Sequence, residues 1–188
     1  MYLHGFISSP QSRKAVMLGD YVRGSVTGLD YRVPALHDRP ARAMSQVYET
    51  CKDVAAADLT LVGSSLGGFY ATVAAERLGC RAALLNPAVH PHRHFPKYLG
   101  PQRNLYTNEA FELTWEHVNE LHAMDVPAIT RPERYWLFVE TGDEVLDYRE
   151  AVAFYEGALQ EVVRGGDHSL TTFPERIPDL VDWALTAP

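Results

Sequence analysis

Short apolar runs alternate along the chain with stretches whose apolar residues recur at helical spacing. That alternation predicts a mainly parallel sheet with helices on both faces. "MYLH" reads as a short strand that runs into the turn "GFISSP". Ala15, Leu18 and Val22 then share one face of a helix predicted over 12–22, and a weak strand is expected over 31–33. Ala43, Val47, Cys51 and Val54 mark a second helix after Pro40, followed by a strand over 59–62. Further strands are expected at 82–85, at "YWLFVE" and at "QEVV", with a helix over 149–158 between the last two. A final helix starts near Phe173, where Thr172 and Glu175 have capping-box spacing.

Residues 90–132 break the alternation. They carry several prolines, the aromatics Phe95, Tyr98, Tyr106, Phe111 and Trp115, and a helix predicted over 109–124. An excursion between two strands of a parallel sheet usually crosses the carboxyl ends of the strands, where ligands bind. The segment is therefore expected to form a cap that lines an acyl pocket.

The chemistry starts at Gly63-Ser64-Ser65-Leu66-Gly67, which follows the apolar run "LTLV" and opens "GGFYATVAAERL". A strand that turns sharply into a helix through G-x-S-x-G is a nucleophile elbow, with the central serine strained and its Oγ exposed at the top of the sheet. The pentapeptide alone would arise by chance in roughly one chain in fifteen of this size. Its weight therefore comes from context. A serine hydroxyl needs a base and a group that orients the base, and in this fold class they follow in the order Ser, acid, His. Ser65 is followed by the loop "TGDEVLDY" and then by "GGDHS".

His168 is the candidate base, in a loop that leaves "QEVV" through Gly165 and Gly166. Asp143, Glu144 and Asp147 compete for the role of acid. Asp147 has a rival structural task, because Asp147 and Glu150 resemble a capping box at a helix start. Asp143 lies nearest the strand end and is the acid selected. Preorganised donors for an oxyanion are expected from the backbone N–H of Leu66 and, through the "LHGF" turn that Gly5 permits, from that of Phe6.

"YLHGF", "SSPQS", "VGSSLGGFYA", "NPAV", "YLG", "TGDEVLDYREAVAFY" and "GGDHSLTTF" together resemble the small esterases typified by YqiA and YcfP. The resemblance runs along nearly the whole chain. It implies a compact α/β-hydrolase fold and carboxylesterase activity on short acyl esters; because the chain opens almost at its first strand, the N-terminal edge strands of larger α/β-hydrolases are expected to be lacking. Carried over residue by residue, it supports Ser65, Asp143 and His168. One departure is Leu170, where the family tends to have an aromatic residue after the histidine.

Composition narrows the alternatives. The 188 residues fit one domain over 1–188, and 46% hydrophobic residues suffice for a sizeable core. A formal net charge of −7 argues against nucleic acid and anionic lipid as partners. No apolar run is long enough to span a membrane and no secretory segment precedes the first motif, so the cytoplasm is expected. Cys51 and Cys80 lack metal-ligand spacing and read as buried thiols. His90, His92 and His94 alternate as a metal site might, yet Pro91 and Pro96 place them on an irregular loop, so no metal is expected. No nucleotide-binding pattern occurs and no cofactor is expected. The reading is a serine esterase or thioesterase acting through an acyl-enzyme intermediate on a small-molecule acyl ester. The alternatives are a non-catalytic hydrolase-fold scaffold, or a peptidase or acyltransferase with the same triad.

Overall fold

Five parallel strands form the central sheet, and the alternation of side chains along each strand divides the core in two. The structure is a computed structural model and describes residues 1–186. The sheet contains β1 (Tyr2–Leu3), β2 (Thr60–Ser64), β3 (Arg81–Leu85), β6 (Tyr135–Glu140) and β7 (Leu159–Val163), in the order β1-β2-β3-β6-β7. Successive side chains of a strand face opposite ways. Leu61, Ala82, Leu84, Leu137 and Val139 accordingly enter one core. Val62, Ala83, Leu85, Trp136 and Phe138 enter the other.

The first core is covered by α2 (Pro40–Cys51), α3 (Leu66–Leu78), α4 (Trp115–Ala123) and α5 (Tyr148–Phe154). The second is covered by α1 (Arg13–Ser25) and α6 (Phe173–Leu185). Cys51 and Cys80 are free and buried. Among the described residues no helix is long and apolar enough to cross a membrane.

Four local expectations are corrected. Residues 31–33 form no strand: Tyr2 N–H donates to Arg32 O (2.8 Å), but Pro34 next in line has no N–H to extend a ladder. The predicted helix over 109–124 is split. Its first part is the strand β5 (Ala110–Leu113), which pairs antiparallel with β4 (Gly100–Arg103), and α4 begins after Thr114. The Thr114 N–H donates to His117 Nδ1 (3.1 Å), fixing that start. The helix expected over 149–158 ends at Phe154, and Gly157 takes a left-handed φ of 85° in the turn to β7. Thr172 does not form a capping box; its hydroxyl donates instead to Glu140 Oε1 (2.8 Å).

At the end of β2, α3 lies close enough to β1 that side chains are excluded. A Cβ at Gly67 would collide with the carbonyl oxygens of Leu3 and His4, and one at Gly68 would lie 2.6 Å from Pro87 Cβ. In an isolated helix Gly→Ala gains about 1 kcal/mol. Here Gly67→Ala is expected to lose about 1–3 kcal/mol by overpacking against backbone that cannot yield. Urea denaturation measures the difference, and an unchanged or raised midpoint would contradict this packing.

Candidate active site

Ser65 sits at the turn from β2 into α3 with φ 55° and ψ −122°. Such a conformation in a non-glycine residue costs on the order of 1–3 kcal/mol and persists only when its surroundings impose it. Its N–H donates to Leu85 O (3.0 Å), and its carbonyl accepts from Gly68 N–H (2.9 Å) and Ala88 N–H (3.0 Å). The strained residue is thereby pinned to the end of β3 and to its own helix.

The loops after β6 and β7 bring the other two residues to it. His168 Nε2 lies 3.1 Å from Ser65 Oγ, and His168 Nδ1 lies 2.8 Å from Asp143 Oδ2. A carboxylate only accepts, so Nδ1 carries the proton and Nε2 is left to accept from the serine hydroxyl. Asp143 Oδ1 accepts from the N–H groups of Val145 (2.8 Å) and Leu146 (2.9 Å). The Asp143 side chain is only 2% exposed, against 23% for His168. Burial pushes the Asp143 carboxyl up, but the bonds from His168 and the two amides outweigh it and hold the pKa below its ordinary value.

The competing acids have other partners. Asp147 caps α5 through Arg149 N–H (3.0 Å) and pairs with the Arg149 guanidinium (2.7 Å). Glu144 accepts from the backbone N–H of His168 (3.0 Å).

A fully buried carboxylate holds the histidine loop from beneath. Glu140, at 0% exposure, accepts from Asp167 N–H (2.7 Å), Thr172 N–H (2.9 Å) and the Thr172 hydroxyl (2.8 Å). Burial raises its pKa, but these bonds win and leave it lowered. Asn86, at the end of β3, accepts from Glu140 N–H (3.1 Å) and donates through Nδ2 to Asp167 O (3.2 Å). From α1, Lys14 donates to Ser169 O (3.0 Å), and burial lowers its ammonium pKa to about 8 against the pull of Asp143, Asp167 and Glu140. Sequence reading missed Glu140 and Asn86. The available signals were one acid closing the otherwise apolar run "YWLFVE" and an Asn-Pro pair at a strand end.

On the far side of Ser65, the turn after β1 comes close: a Cβ at Gly5 would lie 3.2 Å from Ser65 Cβ and 3.7 Å from its Oγ. Leu36 N–H donates to His4 Nε2 (3.0 Å), so the proton sits on Nδ1, which donates to Gly5 O (3.1 Å). Burial lowers the His4 pKa, against the Gly5 bond that raises it. The Gly5 carbonyl and the Phe6 N–H belong to one planar trans unit and point in opposite directions. Holding the first therefore aims the second. Leu66 opens α3, so its N–H has no partner within the helix.

Beyond this turn lies a cavity of about 680 Å³ whose walls include Gly5, Phe6, Leu66, Asp38, Glu109 and Phe111. Ser65 and His168 are not among its walls, so it flanks Ser65 on the Phe6 side. The alternating histidines are turned to carboxylates: His90 meets Asp125 (2.7 Å), while His94 meets Glu150 (3.2 Å).

A model of the uncharacterised protein family UPF0227 matches residues 1–185. A putative hydrolase from Agrobacterium vitis S4 is 18% identical and superimposes with a TM-score of 0.72, over 98% of this chain and 87% of that one. Mouse alpha/beta hydrolase domain-containing protein 10 is 17% identical, with a TM-score of 0.69 over 97% of this chain and 88% of its own. Est1E from Butyrivibrio proteoclasticus is 14% identical, with a TM-score of 0.66 over 98% and 86%. The fold is that of the α/β hydrolases.

The Glu140 latch has a pH signature. A carboxyl whose pKa is lower folded than unfolded stabilises the fold above its unfolded value, and that stability is lost as pH falls through the folded value. For Glu140, with an ordinary pKa of 4.5, the loss therefore sets in below about pH 4.5. Glu140→Gln turns an amide donor toward donors and is expected to cost about 1–3 kcal/mol at neutral pH. Its deficit against the natural protein should shrink as pH falls below 4.5 in urea titrations. A deficit that stays constant with pH would refute the ionised latch.

Proposed function

The chain belongs to the UPF0227 family, the YqiA/YcfP-type group its motifs resemble, and from that premise we propose that it is a serine hydrolase of carboxylic esters. The observation that carries the proposal is the relay from Ser65 Oγ to His168 Nε2 (3.1 Å) and from His168 Nδ1 to Asp143 (2.8 Å), at a strained elbow. The names of Est1E, and of an esterase domain from a Rhodothermus marinus protein with a similar fold, support the same class.

Ser65 Oγ attacks the acyl carbonyl while its proton passes to His168 Nε2. Asp143 stays ionised, holds the imidazole in its tautomer and stabilises the imidazolium that forms. The N–H groups of Phe6 and Leu66 receive the negative charge on the carbonyl oxygen, where one donor is typically worth about 10²–10³ in rate. His168 then protonates the leaving alcohol or thiol, and the tetrahedral intermediate collapses: the carbonyl re-forms, the bond to the leaving group breaks, and the acyl group stays on Ser65. Water, deprotonated by His168, releases the acid and restores Ser65. Each step is a proton or acyl transfer that these side chains perform themselves. The substrate is a small acyl ester, and residues 90–132 act as the cap over the cavity that receives one of its groups.

Hydrolysis of p-nitrophenyl esters from acetate to laurate tests the reading. Activity is expected to peak at short chains and to fall by at least about 10⁴-fold in Ser65→Ala. A folded protein that neither turns over an ester nor labels with a fluorophosphonate at Ser65 would be a binding protein instead. Within the relay, Asp143→Asn should lower kcat by about 10⁴. Asp147→Asn should keep turnover near the natural level and, because asparagine caps a helix about as well as aspartate, leave stability nearly unchanged. The reverse ranking of kcat would reassign the acid.

A further inference from the structure

The cap hairpin is bonded to the backbone that carries an oxyanion donor. Ile7 has a φ of 48°, a value rarely adopted by a β-branched residue. Strain of that kind lasts only where neighbours impose it. The neighbours are at the tip of the β4–β5 hairpin: Leu105 N–H donates to Ile7 O (2.9 Å), and Asn104 Nδ2 donates to Ser8 O (2.8 Å).

Asn104 is rigid in its turn. Its Oδ1 accepts from the N–H groups of Tyr106 (2.8 Å) and Thr107 (3.0 Å), and its own N–H donates to Glu109 O (2.9 Å). The Phe6 ring lies among Phe95 (5.0 Å), Phe111 (6.0 Å) and Tyr98 (6.2 Å), all from the same excursion. The carbonyls of Gly5, Ile7 and Ser8 thus each accept a bond, while the Phe6 N–H has no protein acceptor among the described residues.

We propose that Asn104 is a positioning residue for the oxyanion hole, clamping the strained Ile7–Ser8 backbone so that the Phe6 N–H stays aimed beside Ser65. The cap is then part of the catalytic geometry as well as a wall of the cavity. This rests on the ester-hydrolase reading. A loosened loop would present the donor in only a fraction of molecules. Transition-state stabilisation falls by that fraction, whereas ground-state binding does not.

Asn104→Asp isolates the clamp, because it keeps Oδ1 for the hairpin turn and sets a carboxylate oxygen against Ser8 O. On p-nitrophenyl acetate, kcat should fall about ten- to a hundredfold, less than loss of a whole donor, with KM within about twofold. Affinity for a trifluoromethyl ketone, which adds to Ser65 and places an oxyanion in the hole, should fall by the same factor. Hydrogen exchange at residues 5–8 should accelerate. Arg103→Ala serves as the control: Arg103 ties the hairpin to Asn108 (2.8 Å) without touching the loop, so kcat should hold. Intact Ser65-dependent turnover that ignores Asn104→Asp, or falls as far in Arg103→Ala, overturns this proposal alone. A natural protein without Ser65-dependent turnover overturns the ester-hydrolase reading and the oxyanion role with it, and unchanged exchange at 5–8 overturns the clamp itself.

Discussion

The close approach of α3 to β1, possible only because Gly67 carries no side chain, sets the geometry on which the rest of the site depends. A Cβ there would collide with the Leu3 and His4 carbonyls. Without that approach, the β2–α3 turn could not tighten around Ser65, and the turn after β1 could not lie against it. One steric condition thereby fixes both the direction of the Ser65 side chain and the nearness of the Phe6 amide. Strain at Ser65 is sustained because its N–H and carbonyl are both bonded to the end of β3 or to α3. Sheet packing, local conformation and proposed chemistry meet at this turn.

The histidine side is built differently. Gly165 and Gly166, with φ of 82° and 70°, give the loop after β7 its path. A loop of that composition has little rigidity of its own, so its order comes from below. Glu140 collects donors from both ends of the loop, and Asn86 links the same loop to the neighbouring strand. A buried carboxylate without close bonds would shift its pKa and lose its charge. Here the donors it needs are those that must be held still, so satisfying the charge and ordering the loop are one event.

Much of this was legible in the residues. β2, β3 and β6 are dense apolar runs, and tertiary packing had nothing to override there. Ser65, Asp143 and His168 sit in turn motifs whose order along the chain already implies proximity, and their side chains come within hydrogen-bond reach as that order suggests. What escaped depends on contacts distant in sequence. Thr172 and Glu175 have the interval of a capping box, and Thr172 does stand at the N-cap of α6, yet Glu140 at the end of β6 takes its hydroxyl. Residues 110–113 were absorbed into a helix because four residues show too little alternation to separate them from the periodic stretch that follows. Only the partner strand β4 makes them a strand. Asn104 carries no sequence signal at all, since its role lies in reaching Ser8 across the fold.

The two halves of the site rely on opposite charge states. The histidine side depends on ionised Glu140 and Asp143, whose pKa values their bonds hold down. The Phe6 side depends on a neutral imidazole, because His4 Nε2 must accept from Leu36 N–H while Nδ1 donates to Gly5 O. Burial depresses the His4 pKa and so favours that neutral form. Acid therefore works against both halves through different atoms: protonation removes acceptors from the carboxylates, and at His4 it sets an N–H against an N–H. Near neutral pH all of these groups are in the states their bonds require. The site is thus electrostatically self-consistent near neutral pH.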